Sequence, residues 1–262
     1  MEDDRLAGCH IVVTGGARGI GRGIATRVAE AEADVTLFDT DVDSARETVD
    51  LVHERGGEAN VVEVDVSNKD AVEDGVASAA ARLGPIHGLV NNAGVQNATP
   101  ILETTEEEWD FHLNINAKGT FFCSKAVARQ MLEKDIKGTI VNVASTAAER
   151  PFPGQGAYAT SKAGVVAFTQ VLAKELGDHH ITVNAINPGT VDTPMVQQWL
   201  KEHAADSDLT EAEFLEDALS AHTIERIGQP EEIGHMATLL LSEEGNWITG
   251  ETLNVDGGYT SE

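Results

Sequence analysis

Thr14-Gly15-Gly16-Ala17-Arg18-Gly19-Ile20-Gly21 follows the β-branched run Cys9–Thr14 and leads into an amphipathic stretch, Gly19–Glu32. Glycines at this spacing let the chain turn tightly, bring backbone close to a phosphate, and leave the N-terminus of the following helix facing negative charge. A glycine pattern alone says little. Between a strand and a helix it is the setting that a dinucleotide pyrophosphate requires, and a strand feeding straight into a helix is the first half of a βαβ unit.

The same alternation continues outward. Short apolar runs at Ala33–Asp39, Ala59–Asp65, Ile86–Asn91, Gly138–Ala144, Ile181–Asn187 and Glu251–Asp256 read as strands covered on both faces. Helical patterns lie between them at Val42–Arg55, Asn68–Leu83, Glu106–Leu132 and Gln155–Leu176. Right-handed crossovers then predict an α/β chain, a doubly wound seven-stranded parallel sheet with helices on both faces. No linker or repeat interrupts the pattern, so residues 1–262 are expected to form a single domain. The stretch 191–226, helical and acidic from Glu202 to Asp217, follows the sixth strand and is expected to overhang the strand ends as a substrate lid.

Among the 262 residues, 44 acidic against 18 basic side chains leave a formal charge of −26. Such a surface repels nucleic acid and anionic membranes, and neither is expected as a partner. It also fits an origin in high salt, where self-repulsion is screened. No apolar run approaches the roughly 20 residues of a membrane helix, and the start Met1-Glu2-Asp3-Asp4-Arg5 lacks a signal-type apolar stretch. The expected location is cytoplasmic. Cys9 and Cys123 are too few for a disulfide framework, and the nine histidines show no metal-binding spacing, so no metal is expected.

Asp39 ends the second strand, where a carboxylate can accept hydrogen bonds from an adenosine ribose and repel a 2′-phosphate. Arg18 pulls the other way, since a guanidinium in the glycine loop suits that phosphate. NAD is therefore expected over NADP. Asp65, followed by Val66, is placed either to bond the adenine edge or to cap the next helix. Asn91-Asn92-Ala93-Gly94 ends the fourth strand with small residues that let the chain pass close to a cofactor.

Tyr158 and Lys162, four residues apart in an Ala-rich helical segment, share one face. A neighbouring ammonium and an oxidised nicotinamide both favour a phenolate, lowering a pKa that is ordinarily near 10. Such a phenolate takes a proton from an alcohol as hydride leaves its carbon. Ser145, 13 residues upstream at a strand end, can point into the same crevice and hold the substrate oxygen.

Taken together, T-G-x-x-x-G-x-G at Thr14–Gly21, N-N-A-G at Asn91–Gly94, Ser145, Y-x-x-x-K at Tyr158–Lys162 and Pro188-Gly189 resemble the short-chain dehydrogenase/reductase family along nearly the whole chain. The resemblance implies a Rossmann fold and a catalytic tetrad of Asn116, Ser145, Tyr158 and Lys162, the Asn116 side chain holding a water that links Lys162 to solvent. It implies dinucleotide contacts from Gly15, Arg18, Gly19, Ile20, Gly21, Asp39, Asp65, Val66, Asn92, Ala93, Gly94, Tyr158, Lys162, Pro188, Gly189, Val191 and Thr193. Ile248–Gly258 looks like the family's last strand and tetramer-interface segment, which implies a homotetramer. Gln96, Ser145, Gln155, Tyr158 and Trp199 are expected to touch substrate, with further polar contacts from Asn97, Glu149 and Arg150. The overall pattern is similar to members acting on a sugar, polyol or diol. A 3-oxoacyl reductase using NADPH is the alternative, and an NAD-sensing protein without turnover is the reading from another class.

Overall fold

The computed structural model describes residues 4–205 and 209–261. Among them, seven strands form one parallel sheet: β1 (His10–Thr14), β2 (Asp34–Asp39), β3 (Ala59–Glu63), β4 (Gly88–Asn91), β5 (Thr139–Val143), β6 (Thr182–Pro188) and β7 (Thr252–Val255). They lie in the order β3-β2-β1-β4-β5-β6-β7, the doubly wound architecture that the alternation predicts. The chain steps from β1 to one edge, then returns to β4 on the other side of β1. Connections therefore diverge at the carboxyl ends of β1 and β4 and leave a crevice there.

Alternate side chains of each strand feed opposite cores. On β1, Ile11 and Val13 pack with Ile24 and Val28 of α1 (Gly19–Glu30), Val52 of α2 (Val42–Glu54) and Ile233 and Leu240 of α9 (Pro230–Leu241). Val12 faces the other way, toward Val72 of α3 (Lys69–Leu83), Val127 and Met131 of α5 (Gly119–Glu133) and Leu176 of α6 (Gly156–Leu176). Each such side chain withdrawn from water contributes about 1.5–3 kcal/mol. Cys123 belongs to the second core, where burial pushes its thiol up to about 12. Asparagines also run through the buried strands. Asn91 Nδ2 donates to Asn142 Oδ1 and to Ser124 Oγ, both at 2.8 Å. Asn142 Nδ2 donates to Thr169 Oγ1 at 2.8 Å, and Asn184 Nδ2 donates to the Ile248 carbonyl at 2.7 Å.

Two local expectations change. Asn68, not Asp65, caps α3, its Oδ1 accepting from Asp70 N and Ala71 N, because Asp65 spends its Oδ1 on Ser67 N and Oγ. The helix expected over Glu106–Leu132 is three pieces: α4 (Glu106–His112), a π-helical segment (Leu113–Lys118) and α5. The stretch expected to form a lid comprises α7 (Pro194–Ala205) and α8 (Glu211–Leu219), joined by an edge-on contact of Trp199 with Phe214 at 5.2 Å. Within its acidic run, residues 206–208 and the Glu202 side chain lie outside the described residues. No described helix is long and apolar enough to cross a membrane.

Candidate active site

The glycine loop is folded back onto the end of β4. Gly15 has φ of +64°, and a Cβ there would stand 2.8 Å from Ala93 Cα; one on Gly21 would stand 2.0 Å from the Gly15 carbonyl oxygen. Only hydrogen fits at either position. Asn92 holds the fold-back: its Nδ2 donates to the Thr14 and Gly15 carbonyls at 3.0 and 2.9 Å, and Thr14 Oγ1 accepts from Asn92 N and Ala93 N. The Asp39 carboxylate accepts from Ala17 N and Asp41 N, both at 2.9 Å, so it braces the loop as well as lining the crevice. At the start of α1, Arg18 provides no side-chain cap and no acid occupies the first turn. Among the described residues no side chain caps these first amides of α1, which fits the pyrophosphate of a dinucleotide.

Ser145, Tyr158 and Lys162 open on the same cleft, about 410 Å³ in volume. Tyr158 is buried at the start of α6 and hydrogen-bonds Ser145, whose Oγ also accepts from Ala147 N at 3.1 Å. Lys162, one turn on, places Nζ 5.9 Å from the Tyr158 ring centroid and donates to the Val143 carbonyl at 2.9 Å. Within the chain alone the Tyr158 pKa is raised rather than lowered. Burial pushes the phenol up, with the Ser145 hydrogen bond opposing, and burial likewise brings Lys162 down to about 8. Desolvation penalises the charged form of both groups.

Asn116 sits in the π-helical segment, fully buried and behind the cleft wall. Its Oδ1 accepts from Val95 N at 2.8 Å, and its Nδ2 donates to Val95 O at 3.0 Å and Ser161 Oγ at 2.9 Å. Both amide hydrogens are used on protein partners. With both donors so used, the side chain braces the 94–96 loop against α6, and the second lone pair of Oδ1 remains for the expected water.

Of the residues expected to touch the cofactor, all but Gly21 line the cleft; Gly21 acts from behind, by admitting the Gly15 carbonyl. Gln96, Gln155 and Trp199 line it too. Asn97 does not: it is exposed, its N–H on His112 Nε2 at 3.0 Å. Glu149 turns to Asn187 and Asn254, and Arg150 to Tyr259, so neither lines the cleft. In their place the cleft has Phe152 and Met195, with exposures of 52% and 37%, together with Val95 and Val196. Among the described residues, those of 94–96, 145–155 and the start of α7 that line the cleft carry no charged side chain. Phe152 between two prolines, Pro151 and Pro153, is the one sequence signal that marks this wall.

Comparison with known proteins matches residues 15–260 to a family model described as enoyl-(acyl carrier protein) reductase. The short-chain reductase protein NovJ of Streptomyces niveus is 40% identical over 247 residues, 94% of this chain and 92% of that protein. The L-2,3-butanediol dehydrogenase of Corynebacterium glutamicum is 36% identical, covering 94% of this chain and 96% of its own. A crystal structure of an actinorhodin polyketide ketoreductase point variant with NADPH superposes with a TM-score of 0.93 at 33% identity, over 97% of this chain and 98% of that one.

Proposed function

The chain belongs to the short-chain dehydrogenase/reductase family, and from that premise we propose that it interconverts a secondary alcohol and its ketone with NAD, Tyr158 serving as general acid/base. The observation that carries this reading is the meeting of the glycine cradle with Ser145, Tyr158 and Lys162 in one cleft. A bound nicotinamide supplies the hydride acceptor in oxidation and the donor in reduction. The chain's own groups manage the proton. Ser145 accepts from Ala147 N and hydrogen-bonds Tyr158; a substrate oxygen entering between the two takes the Ser145 hydroxyl hydrogen in place of Tyr158. Tyr158 takes the alcohol proton as phenolate or returns it as phenol, and the buried Lys162 ammonium favours the phenolate. Asn116 keeps the 94–96 loop and α6 in register around them.

Asp39 supports NAD over NADP, because a 2′-phosphate beside it brings like charges together. Within the class of sugar, polyol or diol, the diol is favoured: Gln96 and Gln155 remain as polar contacts, whereas Phe152, Met195 and Trp199 suit apolar surface on the substrate. The butanediol dehydrogenase named above is in keeping with this. A 3-oxoacyl reductase using NADPH is the second reading, favoured by Arg18 on the cleft wall and by the ketoreductase solved with NADPH. We further propose a cytoplasmic homotetramer assembled through Ile248–Gly258, beside which Trp247 is 98% exposed; a native mass of one chain argues against it.

The test assays 2,3-butanediol, cyclohexane-1,2-diol, sorbitol, glucose and a 3-oxoacyl thioester with NAD and NADP, on the parent and on Tyr158→Phe. Diol oxidation with NAD, reduced about 10²–10⁴-fold in the variant, is the expected result. Turnover unchanged by Tyr158→Phe refutes the mechanism. NAD binding without turnover of any substrate supports the sensing protein instead.

A further inference from the structure

The C-terminal turn beyond β7 reaches the catalytic loop by two routes and the lid by a third. Tyr259, 8% exposed, is the hub of the first. The Arg150 guanidinium lies 5.0 Å from its ring centroid and donates to its carbonyl oxygen, and Phe152 packs at 6.0 Å. The second route is polar. Ser145 N donates to Asn187 Oδ1 at 3.2 Å; Asn187 Nδ2 donates to Glu149 Oε1 and Asn254 Oδ1, each at 3.0 Å. Asn254 Nδ2 donates to Glu149 Oε2 at 3.2 Å and Thr260 Oγ1 at 2.8 Å, and Asp256 takes the amides of Gly258 and Thr260.

The third route joins the end of the lid. His222 packs its ring 5.0 Å from that of Tyr259, and both its buried ring nitrogens are without hydrogen-bond partners among the described residues. It is therefore held there by ring packing. Ile224 N donates to the Gly257 carbonyl at 2.8 Å beside it. One aromatic ring thus touches the loop that carries the substrate wall and the segment by which the lid returns to the sheet.

We propose that Tyr259 is a positioning residue: its ring clamps the 145–155 loop to the end of the lid and so sets where Phe152 stands relative to Ser145. Tyr259 takes no part in proton transfer or dinucleotide binding, and it acts through Arg150, Phe152 and His222. Because the ring makes the contacts with Arg150, Phe152 and His222, phenylalanine keeps them and alanine removes them, leaving only the Arg150 bond to the main-chain carbonyl. The proposal uses the alcohol oxidation argued above only for its kinetic arm.

The experiment compares Tyr259→Ala, Tyr259→Phe and Arg150→Ala in the full-length chain. Tyr259→Ala should raise the KM for the alcohol about tenfold, the scale of losing two or three stacking contacts, with kcat and the NAD dissociation constant within about twofold of the parent. Native-state hydrogen exchange should quicken over residues 145–155 and 219–226 and stay unchanged over the glycine loop and α1. Tyr259→Phe should match the parent in both. Arg150→Ala should give a smaller shift of the same pattern, which keeps the test alive if Tyr259→Ala does not fold. Equal damage from phenylalanine, a uniform fall in kcat and NAD affinity, or unchanged exchange at both segments would overturn the clamp. The exchange arm decides the matter even if no alcohol is turned over, so failure of the clamp and failure of the functional reading are separately visible.

Discussion

Replacing Lys162 with methionine separates the chemical value of a buried ammonium from its cost to the fold. Burial takes Lys162 from 10.5 down to about 8, so between those values the unfolded chain binds a proton that the folded chain does not. A folded pKa below the unfolded one means that the penalty is full below about pH 8, where the ammonium must be desolvated, and shrinks as pH rises toward 10.5. The penalty amounts to about 3 kcal/mol at about pH 7 and about 2 kcal/mol at about pH 9. Methionine is of similar length and uncharged, but forfeits the 2.9 Å hydrogen bond to the Val143 carbonyl. That bond offsets about 1.5–3 kcal/mol. Lys162→Met should therefore be between neutral and about 2 kcal/mol more stable than the parent at about pH 7, a gain in Tm of up to roughly 8 °C. Its advantage should narrow by about 1 kcal/mol at about pH 9. Denaturant midpoints at both pH values measure this, and turnover should fall by at least about 10²-fold. A variant more than about 2 kcal/mol less stable, with a gap independent of pH, would show that Lys162 is mainly a structural group.

Gly21→Ala forces a Cβ to within 2.0 Å of the Gly15 carbonyl oxygen. It should cost about 1–3 kcal/mol and weaken dinucleotide binding more than alcohol binding, as fluorescence titration would show; unchanged NAD affinity would contradict the cradle. Asp39→Asn removes the charge and leaves one oxygen to serve the amides of Ala17 and Asp41. The ratio of kcat/KM with NADP to that with NAD should rise at least about tenfold, and no change would remove Asp39 from cofactor choice. His10 is buried with Nδ1 on the Gly84 carbonyl, which makes that nitrogen the donor, and its own N–H donates to His87 Nδ1. Burial lowers both histidines; for His10, Gly84 and Asp34 oppose the shift while His87 adds to it. Folded values below the unfolded ones leave stability intact above about pH 6.5 and erode it as pH falls through that value. A flat urea midpoint between about pH 7.5 and 5 would count against this.

The sheet was legible because a strand covered on both faces must be apolar throughout, as at Val12, Leu89 and Ile140, all fully buried. Its glycine loop was legible because the steric demand at Gly15 and Gly21 leaves one residue type. The π-helical segment had no such mark: over a single turn, Leu113–Lys118 has the side-chain pattern of the α-helix it interrupts. Neighbours in irregular loops carry no periodicity to say which way they face. Gln96 lines the cleft while Asn97 turns to solvent, and Arg150 turns to Tyr259 while Phe152 opens into the site. Thr210-Glu211-Ala212-Glu213 has the Thr-x-x-Glu pattern of a helix start, and its reciprocal cap opens α8.

The asparagines of β4, β5 and β6 bear on assembly rather than on chemistry. An amide exchanged between Asn91 and Asn142 and passed on to Thr169 is satisfied in a single alignment of the strands. Sliding β5 by one residue would put valine against Asn91 and bury two unpaired amides, at about 1–3 kcal/mol for each orphaned group. A sheet of valines alone offers many nearly equivalent pairings to a collapsing chain; these side chains act as teeth that mesh in one place. The crevice beyond the strands inherits that singularity, because Ser145 and Asn92 can meet across it only when β4 and β5 are correctly engaged.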